Sequence, residues 1–78
     1  MELDDGEKRA IEYLQKKLNP KIIKALGARF EKVLNYYAIV VHGWLQHEDK
    51  VTMDFEVVLD SDKAGILGWK MWKRGSKD

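Results

Sequence analysis

The most regular alternation of apolar and polar residues lies between residues 51 and 60. Apolar side chains occupy every second position there: Val51, Met53, Phe55, Val57 and Leu59. This is the pattern of a half-buried β-strand. The stretch before it, residues 37–46, is apolar at consecutive positions and therefore predicts a strand that is covered on both faces. Together the two stretches predict an antiparallel hairpin, with strands over about residues 37–46 and 51–60 and a turn at 47–50.

A third strand is predicted over about residues 66–74, after the polar turn at 61–65. If Asp60 pairs with Ile66, the apolar faces of the second and third strands coincide. The same register places Lys70 opposite Glu56, which is a favourable cross-strand pair. The sequence therefore predicts a three-stranded meander, and residues 75–78 are predicted to be a frayed tail.

Two helices are predicted ahead of the sheet. Residues Asp4 to Glu7 have the spacing of a capping box, and apolar residues follow at helical spacing, so a first helix is expected over about residues 5–18. Asn19-Pro20 ends it. Apolar residues between positions 22 and 37 recur with a period near 3.6 and favour a second helix over about 20–35. Gly27 leaves an alternative open, in which residues 28–36 form a strand.

The expected fold is α+β, a two-layer α-α-β-β-β arrangement in one domain over residues 1–78. A helical hairpin would pack on one face of a three-stranded antiparallel meander. In this arrangement the strand at 37–46 is an edge strand, and two helices can cover only one of its two apolar faces. The uncovered face is the feature that the predicted fold leaves unexplained.

Composition narrows the class of protein. The 78 residues include no cysteine, so neither disulfides nor thiolate metal sites can supplement a small core, and association becomes a plausible source of stability. The chain has no apolar run of about 20 residues and its first residues are acidic, so neither a membrane span nor a targeting segment is expected and a cytoplasmic location is the default. The formal net charge is only +1, which argues against attraction to nucleic acid by bulk charge.

The open face of the predicted sheet is the first candidate site. An apolar and aromatic patch beside carboxylates is typical of a protein interface, so a homodimer contact or an unidentified protein partner is predicted there. One register of the first strand places Val40, His42 and Trp44 on this face, and the other places Ile39, Val41 and Leu45 there. The predicted interface comprises Tyr37, Ile39, Val40, Val41, His42, Trp44, Asp54, Glu56, Lys70 and Trp72.

A nucleic-acid surface is the alternative. Interleaved tryptophan and basic residues can stack on bases while they contact phosphates. The residues that would form this surface belong to the third strand and the second predicted helix: Lys21, Lys24, Arg29, Lys32, Lys70, Trp72, Lys73 and Arg74. The acidic residues of the neighbouring strand weigh against this interpretation.

Catalytic and metal chemistry have little support in the sequence. His42 and His47 are five residues apart, which places them on opposite faces of a strand. Asp54 and Glu56 share a face but lie on an open sheet, where no concave site is expected. The chain is therefore predicted to be a small interaction or regulatory module without catalytic residues, metal or cofactor, which self-associates through its first strand and open sheet face.

Overall fold

The computed structural model describes residues 1–48 and 51–75. Over those residues the elements are a helix, α1 (Leu3–Leu18), and four strands: β1 (Ile22–Val33), β2 (Tyr36–Gln46), β3 (Thr52–Asp60) and β4 (Ile66–Lys73). The strands form one antiparallel sheet in the order β1-β2-β3-β4. The α+β class and the antiparallel sheet are confirmed, whereas the helical hairpin on a three-stranded meander is wrong. The predicted turn at 47–50 and tail at 75–78 lie partly outside the described residues.

The second predicted helix is a strand. Residues 22–33 form β1, which pairs with β2 along its whole length. A register shift between Ala25 and Gly27 inserts one extra residue, Leu26, into the strand. Such a bulge interrupts the period-2 alternation, so the apolar positions recur at intervals of three and four, as they would in a helix. The strand alternative for residues 28–36 is therefore the correct one for residues 28–33.

Pairing with β1 also explains the composition of β2. The strand is interior, with β1 on one side and β3 on the other, and is not the edge strand that the sequence predicted. Ala38, Ile39, Val40 and Val41 are all buried. The side chains of β1 and β3 flank β2, so apolar residues can be buried on both faces of this strand. The stability gained from pairing β1 with β2 outweighs the weak helical preference of residues 20–35.

The core lies between α1 and one face of the sheet. Ala10 and Leu14 of the helix are completely buried, together with Ile39 and Val41 of β2. The helix begins at Leu3, slightly earlier than predicted, and Asp4 and Asp5 lie in its first turn, where the helix dipole favours acidic residues. The remaining buried apolar residues of the core are Leu45, Phe55, Val57 and Leu59.

The strands β3 and β4 pair as the sequence predicted over most of their length. Glu56 lies opposite Lys70 and Val57 opposite Trp69. A shift between Val58 and Leu59 brings Ile66 opposite Leu59. The Oδ1 atom of Asp60 accepts hydrogen bonds from the backbone N–H groups of residues 62 and 63 at 2.8 and 3.1 Å and so fixes the turn that sets this register. These two hydrogen bonds lower the pKa of Asp60 below its ordinary value.

The loop between β1 and β2 holds Leu34 in a strained conformation. Leu34 and Asn35 form a two-residue turn, and the φ angle of Leu34 is +56°, a region that glycine adopts far more readily than leucine. We expect Leu34→Gly to raise the free energy of unfolding by about 1 kcal/mol, because the side chain is exposed and contributes little packing. Thermal denaturation of dilute protein measures the effect. Leu26→Gly is the matched control, since Leu26 is exposed without a positive φ, and an equal gain there would contradict the strain argument.

Candidate interaction surface

The open face is defined here as the face of the sheet opposite α1. Side chains alternate between the two faces of a strand, and Ile39, Val41 and Leu45 of β2 belong to the core beneath the helix. Val40, His42 and Trp44 therefore lie on the open face. This settles the choice between the two registers that the sequence left open.

The centre of the open face is built from three rows of side chains that run across the sheet, and a further row beyond the third holds Glu31, Ala38 and Asp60. Opposite residues in the registers of the strands define each row. The first row is Lys24, Trp44, Asp54 and Trp72; the second is Gly27, His42, Glu56 and Lys70; the third is Arg29, Val40, Val58 and Gly68. Charged residues from the acidic strand β3 thus lie beside basic residues from β4.

The first row holds a cluster around Asp54. The Nη2 and Nε atoms of Arg74 donate hydrogen bonds to Oδ1 of Asp54 at 3.0 and 3.2 Å. The same guanidinium lies over the ring of Trp44, 5.9 Å from its centroid. Arg74 is placed for both contacts because its backbone N–H donates to the carbonyl of Thr52, which extends the pairing of β3 and β4 beyond Lys73. The cluster holds one face of Trp44 against a cation.

The second tryptophan is more exposed. Trp72 keeps 37% of its surface accessible, and the ammonium group of Lys70 lies 5.7 Å from its ring centroid. Lys70 also forms an ion pair with Glu56 at 3.8 Å. Such exposed ion pairs stabilise the monomer weakly, by about 0–1 kcal/mol. Their consequence here is that Asp54 and Glu56 are each neutralised by a cation of the same chain.

A notch lies on the same strand as Trp72. Gly68 has no side chain on the open face, and a Cβ atom built there would meet nothing within 4 Å. A shallow depression of about 190 Å³ lies at this point, lined by Glu56, Val58, Gly68, Trp69 and Lys70. An exposed aromatic ring and an open depression therefore occur four residues apart on β4.

The structure separates the predicted interface residues into three groups. His42, Trp44, Asp54, Glu56, Lys70 and Trp72 lie together on the open face. Ile39 and Val41 are completely buried in the core and cannot contact a partner. Val40 is on the open face but buried between the positions of Arg29 and Val58, and Tyr37 is exposed on the opposite face. Since β2 is paired on both sides, its backbone offers no edge to another chain.

The predicted nucleic-acid residues do not form one surface. Lys24, Arg29, Lys70 and Trp72 lie on the open face, and the side chain of Arg74 reaches it. Lys32 pairs with Tyr37 and Lys73 with Met53, which places both on the face that carries α1. Lys21 precedes β1. The basic residues of the open face are matched by Glu31, Asp54, Glu56 and Asp60, so this face carries no excess positive charge.

Two features of the site were missed by sequence reasoning. Arg74 entered only the nucleic-acid alternative, although its contacts with Trp44 and Asp54 place it in the interaction surface. Gly68 does not belong to either of the predicted surfaces. A glycine inside a predicted strand often marks a close approach or a gap in packing, and that signal was available in the sequence.

No family model, curated protein or solved structure matches the chain. Function must therefore be inferred from the geometry of the site. Across residues 1–48 and 51–75, His, Asp and Glu side chains form no group of three that could hold a metal ion. No helix in this part of the chain is long and apolar enough to span a membrane.

Proposed function

We propose that this chain is a non-enzymatic protein-interaction module that self-associates by packing its open face against the open face of a second copy. The observation that carries the proposal is the pairing of an exposed ring, Trp72, with a notch at Gly68 on the same strand. A surface that carries both a knob and a hole is complementary to itself, which is what a two-fold symmetric contact requires.

The order of the rows supports such a contact. A two-fold axis that runs across the strands at the level of Lys70 and Glu56 exchanges the first row of one copy with the third row of the other. Trp72 of each copy then faces the notch at Gly68 of the second copy. Packing of two sheets face to face is a common arrangement, with the strands of the sheets inclined by about 30°.

The charges of the open face are paired within each copy, which limits the repulsion that arises where the two-fold axis lays Lys70 over Lys70 and Glu56 over Glu56 of the second copy. Asp54 is paired with Arg74 and Glu56 with Lys70. Tryptophan and arginine are the residues most often found at the energetic centre of protein interfaces. Because the ion pairs are already formed in the monomer, association does not leave an unpaired charge on either side.

The dimensions of the molecule allow an open face of the size that a stable dimer needs. The longer extents of the molecule are 40 and 26 Å, which bound a face of about 1,000 Å². A standard protein interface buries roughly 800 Å² on each partner. Most of the open face would therefore be used, including the aromatic side chains of β2 and β4.

Filling the notch tests this function without removing any side chain. We expect Gly68→Leu to weaken the face-to-face contact at least tenfold, because the new side chain occupies the space that Trp72 of the second copy would enter. Gly65→Leu is the matched control: a Cβ there also meets nothing within 4 Å, but Gly65 lies in the turn before β4. Sedimentation equilibrium measures the average mass of both variants and so reports how strongly each one associates.

The expected result is a lower average mass for Gly68→Leu than for wild-type protein at the same concentration, with no change for Gly65→Leu. Trp72→Ala is expected to lower the average mass in the same way, because it removes the knob instead of the hole. Equal masses for the two glycine variants, or a monomeric wild-type protein at high micromolar concentration, would contradict the proposal.

A further inference from the structure

The outer edge of β1 and the turn that follows it carry a second set of exposed apolar side chains. Leu26, Phe30 and Leu34 are spaced four residues apart, and their exposed fractions are 59%, 52% and 88%. Ile23, Ala25 and Ala28 of the same strand pack against the core beneath α1, whereas Phe30 does not belong to that cluster. The half of β1 that begins near Phe30 is therefore accessible both at its edge and on the side of the helix.

The geometry of the β1–β2 hairpin determines which backbone groups on this edge are free to form hydrogen bonds with another strand. Its two-residue loop closes on Val33 and Tyr36, and a loop of this length closes on a hydrogen-bonded pair. Backbone groups alternate in direction along a strand, so those of Ala28, Phe30 and Lys32 point away from β2. An added antiparallel strand of the same sequence can use these groups only in registers where the paired residue numbers have an even sum.

Charge selects among those registers. When Phe30 lies opposite Phe30 of a second copy, Arg29 lies opposite Glu31 of that copy and the pairing occurs twice by symmetry. A register centred on Arg29, Glu31 or Lys32 places that residue opposite the same residue of the second copy. Two like charges then face each other, which is unfavourable. Centring the register on Ala28 carries the pairing into the bulge at Leu26, where the register of β1 shifts.

The favoured register also suits the other exposed side chains. It brings Leu26 in the bulge of one copy towards Leu34 in the turn of the other, so that two exposed leucines approach each other at each end of the contact. The contact is centred on the half of β1 beyond Ala28, so the two copies of α1 lie away from the axis on the same side of the joined sheet. The ion pair between Arg29 and Glu31, 3.2 Å within each chain, becomes half of a cluster of four alternating charges.

We propose that a second copy of this chain adds its β1 strand antiparallel to β1, centred on Phe30, to form a continuous eight-stranded sheet. Addition of a strand to a free edge is an established mode of protein recognition. This contact uses the edge of β1 and is separate from the face-to-face contact proposed above. When both form, each copy contacts one neighbour through its open face and another through the edge of β1.

Charge reversal tests the edge contact in protein whose open-face contact has been weakened. In the Gly68→Leu background we expect a dimer by sedimentation equilibrium at high micromolar concentration. Adding Glu31→Arg places arginine opposite Arg29 at two positions, and we expect the dissociation constant to rise at least tenfold at low salt. Both side chains are about half exposed, so the monomer is expected to fold normally.

The rescue variant makes the test specific. Adding Arg29→Glu to Glu31→Arg restores opposite charges in the same register, and we expect the dimer to return. A monomeric Gly68→Leu protein, an unchanged mass in the charge-reversed variant, or failure of the double swap to restore the dimer would each overturn the edge contact. If the edge contact holds but Gly68→Leu and Trp72→Ala leave the mass of the wild-type assembly unchanged, the face-to-face proposal fails alone.

Discussion

Replacing Gly43 with alanine is expected to cost about 3 kcal/mol or more of the free energy of unfolding. Gly43 lies on β2 opposite Ala25, beside the bulge of β1. A Cβ atom there would collide with the backbone oxygen of Lys24 and would stand 2.7 Å from Cζ of Phe55 and 2.9 Å from Cα of Ala25. Because two of the three obstacles are backbone atoms, the strand itself would have to move, which costs more than the rotation of a side chain.

The effect of Gly43→Ala is measured by urea denaturation of dilute protein. The expected loss is large for a domain of 78 residues, whose total stability should be about 4–12 kcal/mol. Gly65→Ala serves as the control, because a Cβ at that position meets no atom within 4 Å. A similar stability for the two variants would show that β1 does not approach β2 as closely as the structure describes.

Phe55→Ala is expected to cost about 3–5 kcal/mol, the range observed when a large buried aromatic side chain is truncated. Phe55 is the largest side chain that is fully buried, with 1% of its surface exposed. Its ring lies against Gly43, where β2 has no side chain to fill the core. The truncation therefore opens a cavity that the surrounding strands cannot fill without shifting.

The matched truncation is Phe30→Ala on the outer strand. Phe30 is half exposed and outside the core cluster, so its loss should change the stability of the dilute monomer by less than about 1 kcal/mol. Denaturant midpoints for the two variants give the comparison. Comparable losses would mean that the core extends to the outer half of β1, contrary to the packing described above.

The strands β2 to β4 could be predicted because β2 is a short apolar run, β3 alternates between apolar and polar residues, and the charges of β3 and β4 match across the pair. The pairing of Glu56 with Lys70 follows from that pattern and is present in the structure. The strand β1 could not be predicted, because one inserted residue, Leu26, changes the apolar period from two to a mixture that resembles a helix. Because β1 was predicted to be a helix, β2 was wrongly placed at the edge of the sheet. The edge strand is β1.

The candidate site was predictable only in part for the same reason. The open-face residues of β3 and β4 follow from alternation, so Asp54, Glu56, Lys70 and Trp72 were correctly placed together. The residues of β2 needed a choice of register that the sequence did not provide, because both of its faces are apolar. Ile39 and Val41 were included in the interface for that reason, and their burial beneath α1 removes them.

Tryptophan emission as a function of concentration tests the open-face contact most directly. In a Trp69→Phe variant the remaining tryptophans, Trp44 and Trp72, both lie on the open face; the substitution retains an aromatic ring beside Tyr13, whose centroid is 6.5 Å from that of Trp69. We predict that the emission shifts to shorter wavelength as concentration rises, in step with the average mass, and that adding Gly68→Leu abolishes the shift. A rise in mass with no change in emission, or no rise in mass at all, would contradict the proposed association through the open face.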